Sequence, residues 1–404
     1  MKYKQLNYKT IFNGDKVIIS NISNGNYLKT SKKYYDEVLR ILRDENNELI
    51  NEYPDYIRNN INNLLNSLIK IGVVKKSNER YIFENIVQDL KSIFIICTNK
   101  CNLKCKHCSK ESSFEKINDL ESEKLKTIFD RAAKLNPLSI TLSGGEPLCR
   151  VEFLKELKYL RSIYDGKIIL STNSLLINEE NVKEIVGLID TISISLDGVD
   201  EETCSDIRGK YYYANVMSKI DLIKKNEFAN IFLSMTVTKT TEKHKTEFVE
   251  LCKKLECKPV LRRFTPIGRG QESQEHLMSN VIEQAIELKG DIVRAKECSP
   301  IYKEICIDEN GDVYPCQLLM DKQFCLGNLI KNESLQNIIN NKGFSINEEI
   351  EKIRPYNSDK CGGCKVNLFC WSCLGNYINI KNNEKMFNEL CEHKKELLMT
   401  KVWN

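Results

Sequence analysis

No apolar run in this chain approaches the roughly 18 residues that a membrane-spanning helix needs. The first ten residues, MKYKQLNYKT, also lack the apolar core of a secretion signal. The first absence excludes a transmembrane helix, and together they lead us to expect a cytoplasmic protein. Charge of one sign is scarce too. The net charge is +4 over 404 residues, too weak to hold nucleic acid or a membrane surface in bulk. There is no repeat with a period of about 20–50 residues, as a solenoid would show, and no low-complexity linker. With 41% hydrophobic and 29% charged residues, what remains is an ordinary globular chain. It is long enough for two or three domains and a large core.

Cysteine is what the chain has in excess, with seventeen residues. In a reducing compartment such a number points to metal or redox chemistry rather than to structural disulfides. The stretch CNLKCKHC places Cys101, Cys105 and Cys108 in a CxxxCxxC array. Three thiolates with one open position suit either zinc or an iron–sulfur cluster. A structural zinc site wants four ligands, and a cubane cluster normally takes four cysteines. With three, one iron stays open to a small molecule. His107 can close a zinc site, but it lies between two ligand positions, where it more easily lines the loop.

Three parts follow one another. Residues 1–90 read as a small domain, with Asn13-Gly14 and Asn24-Gly25 as hairpin turns and YYDEVLRIL as a helix. Ile61, Leu64, Leu65, Leu68 and Ile71 recur at helical spacing before Gly72. VVKKSNERYIF reads as a second hairpin, and the whole as a winged-helix-like module. Its 14 Lys and Arg against 11 Asp and Glu are thin for phosphate binding. Such a module can instead lend a sheet edge to a guest peptide. Residues 91–290 alternate strands (SIFIIC, LSITLSGGE, KIILSTNS, TISISLDG, IFLSMTVT, KPVLRRF) with amphipathic helices. Six such units predict an α/β fold, a partial (β/α)6 TIM-like barrel. Its chemistry belongs at the carboxyl ends of the strands, where CNLKCKHC begins. In residues 291–404 cysteine dominates.

CxxxCxxC after the first strand of a partial barrel resembles the signature of the radical S-adenosylmethionine (radical SAM) enzymes, and further motifs follow in order. SGGEP (Ser143–Pro147) resembles the family's GGEP, which implies cofactor contacts at Gly144, Gly145 and Glu146. There a glycine backbone approaches the methionine amino group, a contact that a Cβ hinders. STNS (Ser171–Ser174) stands where the family often has Thr-Asn-Gly and implicates Asn173. ISLDG (Ile194–Gly198) resembles the fourth-strand motif whose polar residues, here Ser195 and Asp197, reach the ribose. In DIRG, Arg208 has the fixed charge and planar fork to pair with a methionine carboxylate. PIGRG (Pro266–Gly270) resembles the stretch after the sixth strand. The resemblance implies a [4Fe–4S] cluster on Cys101, Cys105 and Cys108, with His107 beside the bound S-adenosylmethionine. One electron then splits a carbon–sulfur bond to give a 5′-deoxyadenosyl radical. Cys97, Cys149, Cys204, Cys252 and Cys257 have no evident partners and read as buried or incidental thiols.

The C-terminal cysteines fall into Cx12Gx4C, from Cys298 through Gly311 to Cys316, and Cx2Cx5Cx2C, from Cys361 to Cys373, with Cys391 apart. This resembles the SPASM extension, which implies two auxiliary iron–sulfur clusters; on spacing alone a pair of zinc knuckles fits as well. Carried over, Cys361, Cys364, Cys370 and Cys391 resemble the outer ligands, and Cys298, Cys316 and Cys373 the inner ones. The last pair is Cx2C where the family usually has Cx3C. The fourth inner position falls to Cys306, to Cys325, or to a cysteine of the substrate.

Proteins of this plan resemble maturases of ribosomally made peptides, of the sactipeptide type. The resemblance implies a precursor peptide with a leader and a flavodoxin or ferredoxin-type electron donor. The expected reaction is a thioether crosslink. Its rivals are a carbon–carbon crosslink, anaerobic sulfatase maturation and, outside enzymes, a zinc-binding winged-helix regulator. The sulfatase enzymes place a carboxylate base after the cysteine that ends Gx4C, where this chain has Gln317.

Overall fold

The computed structural model describes residues 3–5, 8–21, 25–44, 49–76, 90–116, 120–278, 295, 303–331, 334–370 and 373–404. These fall into two compact units, one within Met1–Glu84, Ala285–Ser299 and Ile350–Asn404, the other within Asn85–Gln284 and Pro300–Glu349.

In the first unit, strand β1 (Tyr3–Gln5) precedes a three-stranded antiparallel sheet of β2 (Tyr8–Asn13), β3 (Lys16–Asn21) and β4 (Tyr27–Ser31). The first hairpin forms where Asn13-Gly14 predicts it, but its two turn residues are Gly14 and Asp15, with Gly14 at φ +58°. Asn24 lies outside the described residues. Helix α1 (Lys32–Arg43) starts on Ser31, whose hydroxyl accepts from the Tyr34 N–H. Helix α2 (Asp55–Lys70) buries Ile61, Leu64, Leu65 and Leu68, the stripe its spacing predicts, and ends before Gly72 at φ +74°. Each such side chain contributes about 1.5–3 kcal/mol of burial. β5 (Val74–Lys76) pairs with β1, not with a following strand; the rest of the expected second hairpin lies outside the described residues. The sheet is covered on both faces. Val17 and Ile19 pack on the helices, while Ile11 and Ile18 pack with Val366, Leu398, Val402 and Trp403.

The second unit holds the predicted parallel strands: β6 (Ser92–Thr98), β7 (Ser139–Gly144), β8 (Lys167–Thr172), β9 (Thr191–Ser195), β10 (Ile231–Val237) and β11 (Lys258–Arg263). Three more strands extend this sheet: β12 (Glu304–Ile307), β13 (Asp312–Tyr314) and β14 (Gly327–Asn328). The order is β11-β10-β9-β8-β7-β6-β12-β13-β14. β12 runs parallel to β6, so the chain after the barrel returns to its edge. Helices α3 (Ser122–Ala133), α4 (Phe153–Ile163), α5 (Val182–Leu188), α6 (Glu201–Arg208), α7 (Tyr212–Lys225) and α8 (Lys245–Lys254) alternate with the strands. Short α9 (Arg269–Glu272) and α10 (Gln274–Leu277) and long α11 (Leu335–Ile353) follow. In the first unit, α12 (Leu374–Lys381) and α13 (Glu384–Trp403) end the chain.

Alternation along each strand sorts the side chains. Ile140, Leu142, Ile168, Leu170, Ile192 and Ile194 are fully buried on one face. The other face carries Thr141, Ser171, Ser193, Ser195, Ser234 and Thr236, joined strand to strand by the register. A parallel sheet is normally apolar on both faces; here one face is rich in hydroxyls. Arg262 on β11 and Glu304 on β12 feel each other's charge although five strands separate theirs, so the sheet curls.

Candidate functional site

The cysteine loop leaves β6 at Thr98 and is closed at its neck by Cys101 N–H donating to Ser113 O at 3.1 Å. Gly144 and Gly145 pack against this neck. A Cβ on Gly144 would stand 2.3 Å from Thr98 O, and one on Gly145 2.1 Å from Lys100 O. The glycines are thus required by the loop's own backbone, which their missing Cβ atoms face. Gly145 N and Glu146 N donate to Thr98 O and Lys100 O, both at 2.8 Å. The PIGRG stretch grips the other side. Arg269 N donates to Cys108 O at 3.0 Å, and its guanidinium to Cys105 O and Ser112 O, both at 2.9 Å. Gly268, at φ +58°, leaves no room for a Cβ against Ser109 O. Arg269→Ala is expected to loosen the loop, since each charge-assisted bond is worth about 1.5–3 kcal/mol. Iron retained per chain after anaerobic gel filtration should fall several-fold, with Arg269→Lys in between. Unchanged iron content would remove this role.

Every thiol on the loop has a donor near its sulfur. Leu103 N lies 3.4 Å from Cys101 Sγ, Ser112 N 3.3 Å from Cys108 Sγ and Arg208 Nη1 3.9 Å from Cys105 Sγ. Burial pushes the Cys101 thiol up to about 12. Burial also raises Cys105, with Arg208 partly offsetting it. Buried thiols of this kind ionise only with compensating positive charge, which a bound metal supplies. His107 does not complete their set: its Nε2 is 2.6 Å from Asp197 Oδ2. A three-sulfur set with N–H donors on its sulfurs fits an iron–sulfur cluster with one iron left open.

Asp197 joins the motifs. Its Oδ2 accepts from Arg208 Nε at 2.6 Å and meets His107, and its Oδ1 accepts from Thr236 N at 2.5 Å. Burial alone would raise this carboxyl, but the charges of Arg208 and His107 outweigh it and hold it well below the carboxylate range. Gly198, next in ISLDG, has no room for a Cβ because Thr203 of the α6 capping box stands there. Arg208 also lies over the Tyr212 ring, 5.3 Å from its centroid. Asn173 Nδ2 donates to Asn102 Oδ1 at 2.7 Å and lies 3.9 Å from Cys101 Sγ. Ser174 holds φ +65°, the conformation glycine adopts freely in Thr-Asn-Gly. Its hydroxyl is buried without a partner among the described residues. Glu146 is fully buried. Its oxygens accept from Thr172 Oγ1, Asn173 N and Leu148 N, while burial pushes its carboxyl up to about 7. It therefore ties the end of β7 to that of β8.

The structure thus links Cys101, Cys105, Cys108, His107, Gly144, Gly145, Glu146, Asn173, Asp197 and Arg208 in one network. Ser195 enters through its backbone: Tyr212 OH donates to Ser195 O at 2.6 Å. Tyr212 and Asn102 escape sequence reading, while Arg269 lies within the PIGRG stretch that the sequence singles out without its role. Of the incidental thiols, Cys97, Cys204, Cys252 and Cys257 are buried, and Cys149 is half-buried near Cys101.

In the first unit Cys361, Cys364, Cys370 and Cys391 stand close enough to feel one another's charge. Burial pushes Cys370 up to about 12, with Lys394 opposing it. Among the described residues no three His, Cys, Asp or Glu converge on a single-ion position. The all-sulfur donor set fits a cluster's chemistry. Cys298 lies outside the described residues. Cys316 has Cys306 as a neighbour. The Cys306 thiol is turned on Met320 Sδ at 3.9 Å, and Cys325 Sγ lies 3.7 Å from Gly327 O.

Residues 95–252 match the Radical SAM superfamily, and residues 298–365 match the SPASM iron-sulfur cluster-binding domain. Fold and site thus define a radical SAM enzyme. More narrowly, the chain belongs to the radical SAM enzymes that carry a SPASM domain, with S-adenosylmethionine, a [4Fe–4S] cluster and auxiliary iron–sulfur clusters as cofactors. With that, the zinc-binding regulator is set aside. The chain is 24% identical over 294 residues to the mycofactocin maturase MftC of Mycolicibacterium smegmatis, spanning 66% of this chain and 73% of the relative. It is 27% identical over 314 residues to the antilisterial bacteriocin subtilosin biosynthesis protein AlbA of Bacillus subtilis, spanning 71% and 67%. The fold is similar to that of Streptococcus suis SuiB bound to precursor peptide SuiA, with a TM-score of 0.54 at 16% identity, covering 92% of this chain and 97% of that one. No helix among the described residues is long and apolar enough to cross a membrane.

Proposed function

We propose that the chain is a peptide maturase that installs thioether bonds, from cysteine sulfur to peptide carbon, in a ribosomally made precursor. The observation that carries this reading is the sheet β2–β3–β4, which lies outside both matched domains. Among the described residues no strand pairs with its outer edges. A leader peptide can add to such an edge as a further strand. The names of the relatives, a maturase and a bacteriocin biosynthesis protein, support the same substrate class. The hydroxyl-rich inner face of the barrel suits a peptide backbone.

In this reading Cys101, Cys105 and Cys108 hold the cluster. Arg208 offers a fixed charge to the methionine carboxylate, in a site that His107, Gly144, Gly145, Glu146, Asn173, Ser195 and Asp197 shape. When bound, the cofactors supply a radical that takes hydrogen from a peptide carbon. Cys361, Cys364, Cys370 and Cys391 hold the outer auxiliary cluster. Cys298, Cys316 and Cys373 hold the inner one. The fourth inner position falls to Cys306, to Cys325 or to a peptide cysteine that enters as a thiolate. A peptide thiolate at that position would favour a thioether over a carbon–carbon bond, and Gln317, an amide, is no base for sulfatase maturation.

A short cysteine-bearing peptide encoded beside the gene tests the reading. Under anaerobic turnover it is expected to lose two hydrogens and one alkylatable thiol per bond. The same mass loss with every thiol still alkylatable would instead indicate a carbon–carbon bond. Peptide binding is also expected to slow amide exchange in Tyr27–Ser31 on the order of tenfold. No change in mass and no protection in the N-terminal sheet would sink the maturase reading. Deleting residues 1–90 is the poorer test, because Ile11 and Ile18 cover Leu398, Val402 and Trp403.

A further inference from the structure

We infer that Arg262 and Glu304, facing each other across the open side of the barrel, grip one backbone amide of the substrate peptide, with Arg262 donating to its carbonyl oxygen and Glu304 accepting from its N–H. The inference rests on the reading of the substrate as a peptide, and deepens it by naming two residues that position the reacting stretch. Among the described residues no strand joins β11 to β12, so the sheet is open between these two.

The register sets both side chains on the inner face. Glu304 stands in row with Ser92, Ser139 and Lys167. Its neighbour Ile305 stands in row with Ile93 and Ile140, all three fully buried on the other face. Arg262 stands in row with Thr236, while Leu261 and Arg263 on either side of it stand with the buried Met235 and Val237. Side chains alternate along a strand, so Arg262 shares the face of Ser234 and Thr236. The row of Arg262 lies eight residues above that of Lys167: two along β8 to Ile169, which pairs with Thr191, one along β9 to Ile192, which pairs with Ile231, and five along β10 to Thr236. Strands slanted as in a (β/α)8 barrel climb about eight residues per circuit, so a climb of this kind brings the two edges of a rolled sheet near the same height. The mutual influence of the two charges agrees with that placement.

Among the described residues neither side chain makes a hydrogen bond or an ion pair; they feel charges at a distance only. Arg262 is exposed, yet burial pushes its guanidinium below the ordinary value, with Asp197 and Glu304 opposing. A group that solvent reaches and protein still crowds lines the wall of a cleft. Glu304 is half-buried, and burial raises its carboxyl, with Arg262 opposing. Asp197 is already held by Arg208 and His107. The two charges that remain balance each other. A guest with a net charge meets one like charge there, whereas a neutral group with an acceptor at one end and a donor at the other meets none. A peptide amide is such a group. Asp197 Oδ1 accepts from the Thr236 N–H at 2.5 Å, and Thr236 stands in row with Arg262. An amide held by Arg262 therefore lies one strand from the Asp197 network.

The full-length holoprotein and the peptide encoded beside its gene test this. The readouts are the KM for peptide and the ratio of modified peptide to 5′-deoxyadenosine. Arg262→Met and Glu304→Leu are each expected to raise KM about tenfold or more, as the loss of a charge-assisted hydrogen bond does. Both should also lower the ratio several-fold, because an ungripped peptide misses more of the radicals formed. Arg262→Lys keeps a donor and Glu304→Gln an acceptor, so each should recover part of the KM. The peptide is then N-methylated at one backbone position at a time. One position is expected to raise the wild-type KM about tenfold and to make no difference to Glu304→Leu, since both changes remove the same bond. A wild-type KM in both apolar variants would overturn the clamp, as would N-methyl effects that add to Glu304→Leu at every position. A loss of iron in step with the loss of activity would also overturn it, by showing that the pair serves the fold. If the wild-type chain modifies no peptide, the maturase reading falls and the clamp with it. A modified peptide to which the variants are indifferent sinks the clamp alone.

Discussion

Cys101→Ala, Cys105→Ala and Cys108→Ala proteins are each expected to lose about four irons per chain and to form no detectable 5′-deoxyadenosine from S-adenosylmethionine. The loop provides three sulfurs and no substitute. His107 is held by Asp197 at 2.6 Å, and no other imidazole or carboxylate on the loop lies between the thiols. Two of the sulfurs are buried, and burial pushes both thiols up, so water cannot replace a missing ligand without exposing its neighbours. Cys252→Ala is the control. Its thiol is buried on α8, with Cys257 as its charged neighbour, so this protein should keep full iron at a modest cost in stability. Anaerobic iron and sulfide assays, electron paramagnetic resonance and product chromatography read the outcome. A loop variant that still cleaves S-adenosylmethionine would refute the assignment of the cluster to this loop.

The largest loss of stability is expected from Asp197→Ala, about 3–5 kcal/mol, because it strands the Arg208 charge in a buried site. The side chains of Asp197 and Arg208 are 1% and 10% exposed, and they meet at 2.6 Å. The Thr236 N–H, 2.5 Å from Asp197 Oδ1, loses its acceptor as well. Arg208→Leu added to Asp197→Ala should recover part of the loss, since no charge is then left unpaired. Urea unfolding of the apoproteins measures both. The pH dependence has a definite sign. Arg208 and His107 hold the folded carboxyl below its unfolded range. Its contribution is therefore present above the ordinary carboxylate range, near about 4, and is lost only as pH falls through the lower folded value. The difference between wild type and Asp197→Ala should persist at pH 5. A difference that vanishes there would mean that Asp197 is not held ionised by its partners.

Much of the barrel was legible because strand alternation is local. TISIS already separates Ile192 and Ile194 from Ser193 and Ser195, and the fold buries the first pair fully. The glycines of SGGEP were legible as a motif, but not for their reason. Only the fold shows that Lys100 O fills the space that a Cβ on Gly145 would take. Glu146 reads as a cofactor contact in sequence, and in the structure its oxygens are turned to β8 and to its own turn. The change in texture after residue 290 was visible, but the return of β12 to the edge of β6 was not. Parallel pairing across more than two hundred residues leaves no local trace.

Sequence by itself determined the kind of chemistry, because the array from Cys101 to Cys108 and the motifs that follow it in order together resemble one family, where the spacing alone suits zinc as well. Tertiary structure alone decided how that chemistry is held. Arg269 reaches Cys105 O from 164 positions away, and Asp197 meets His107 from 90. Contacts at such separations depend on where the sheet brings its strand ends, and that follows from packing over the whole barrel.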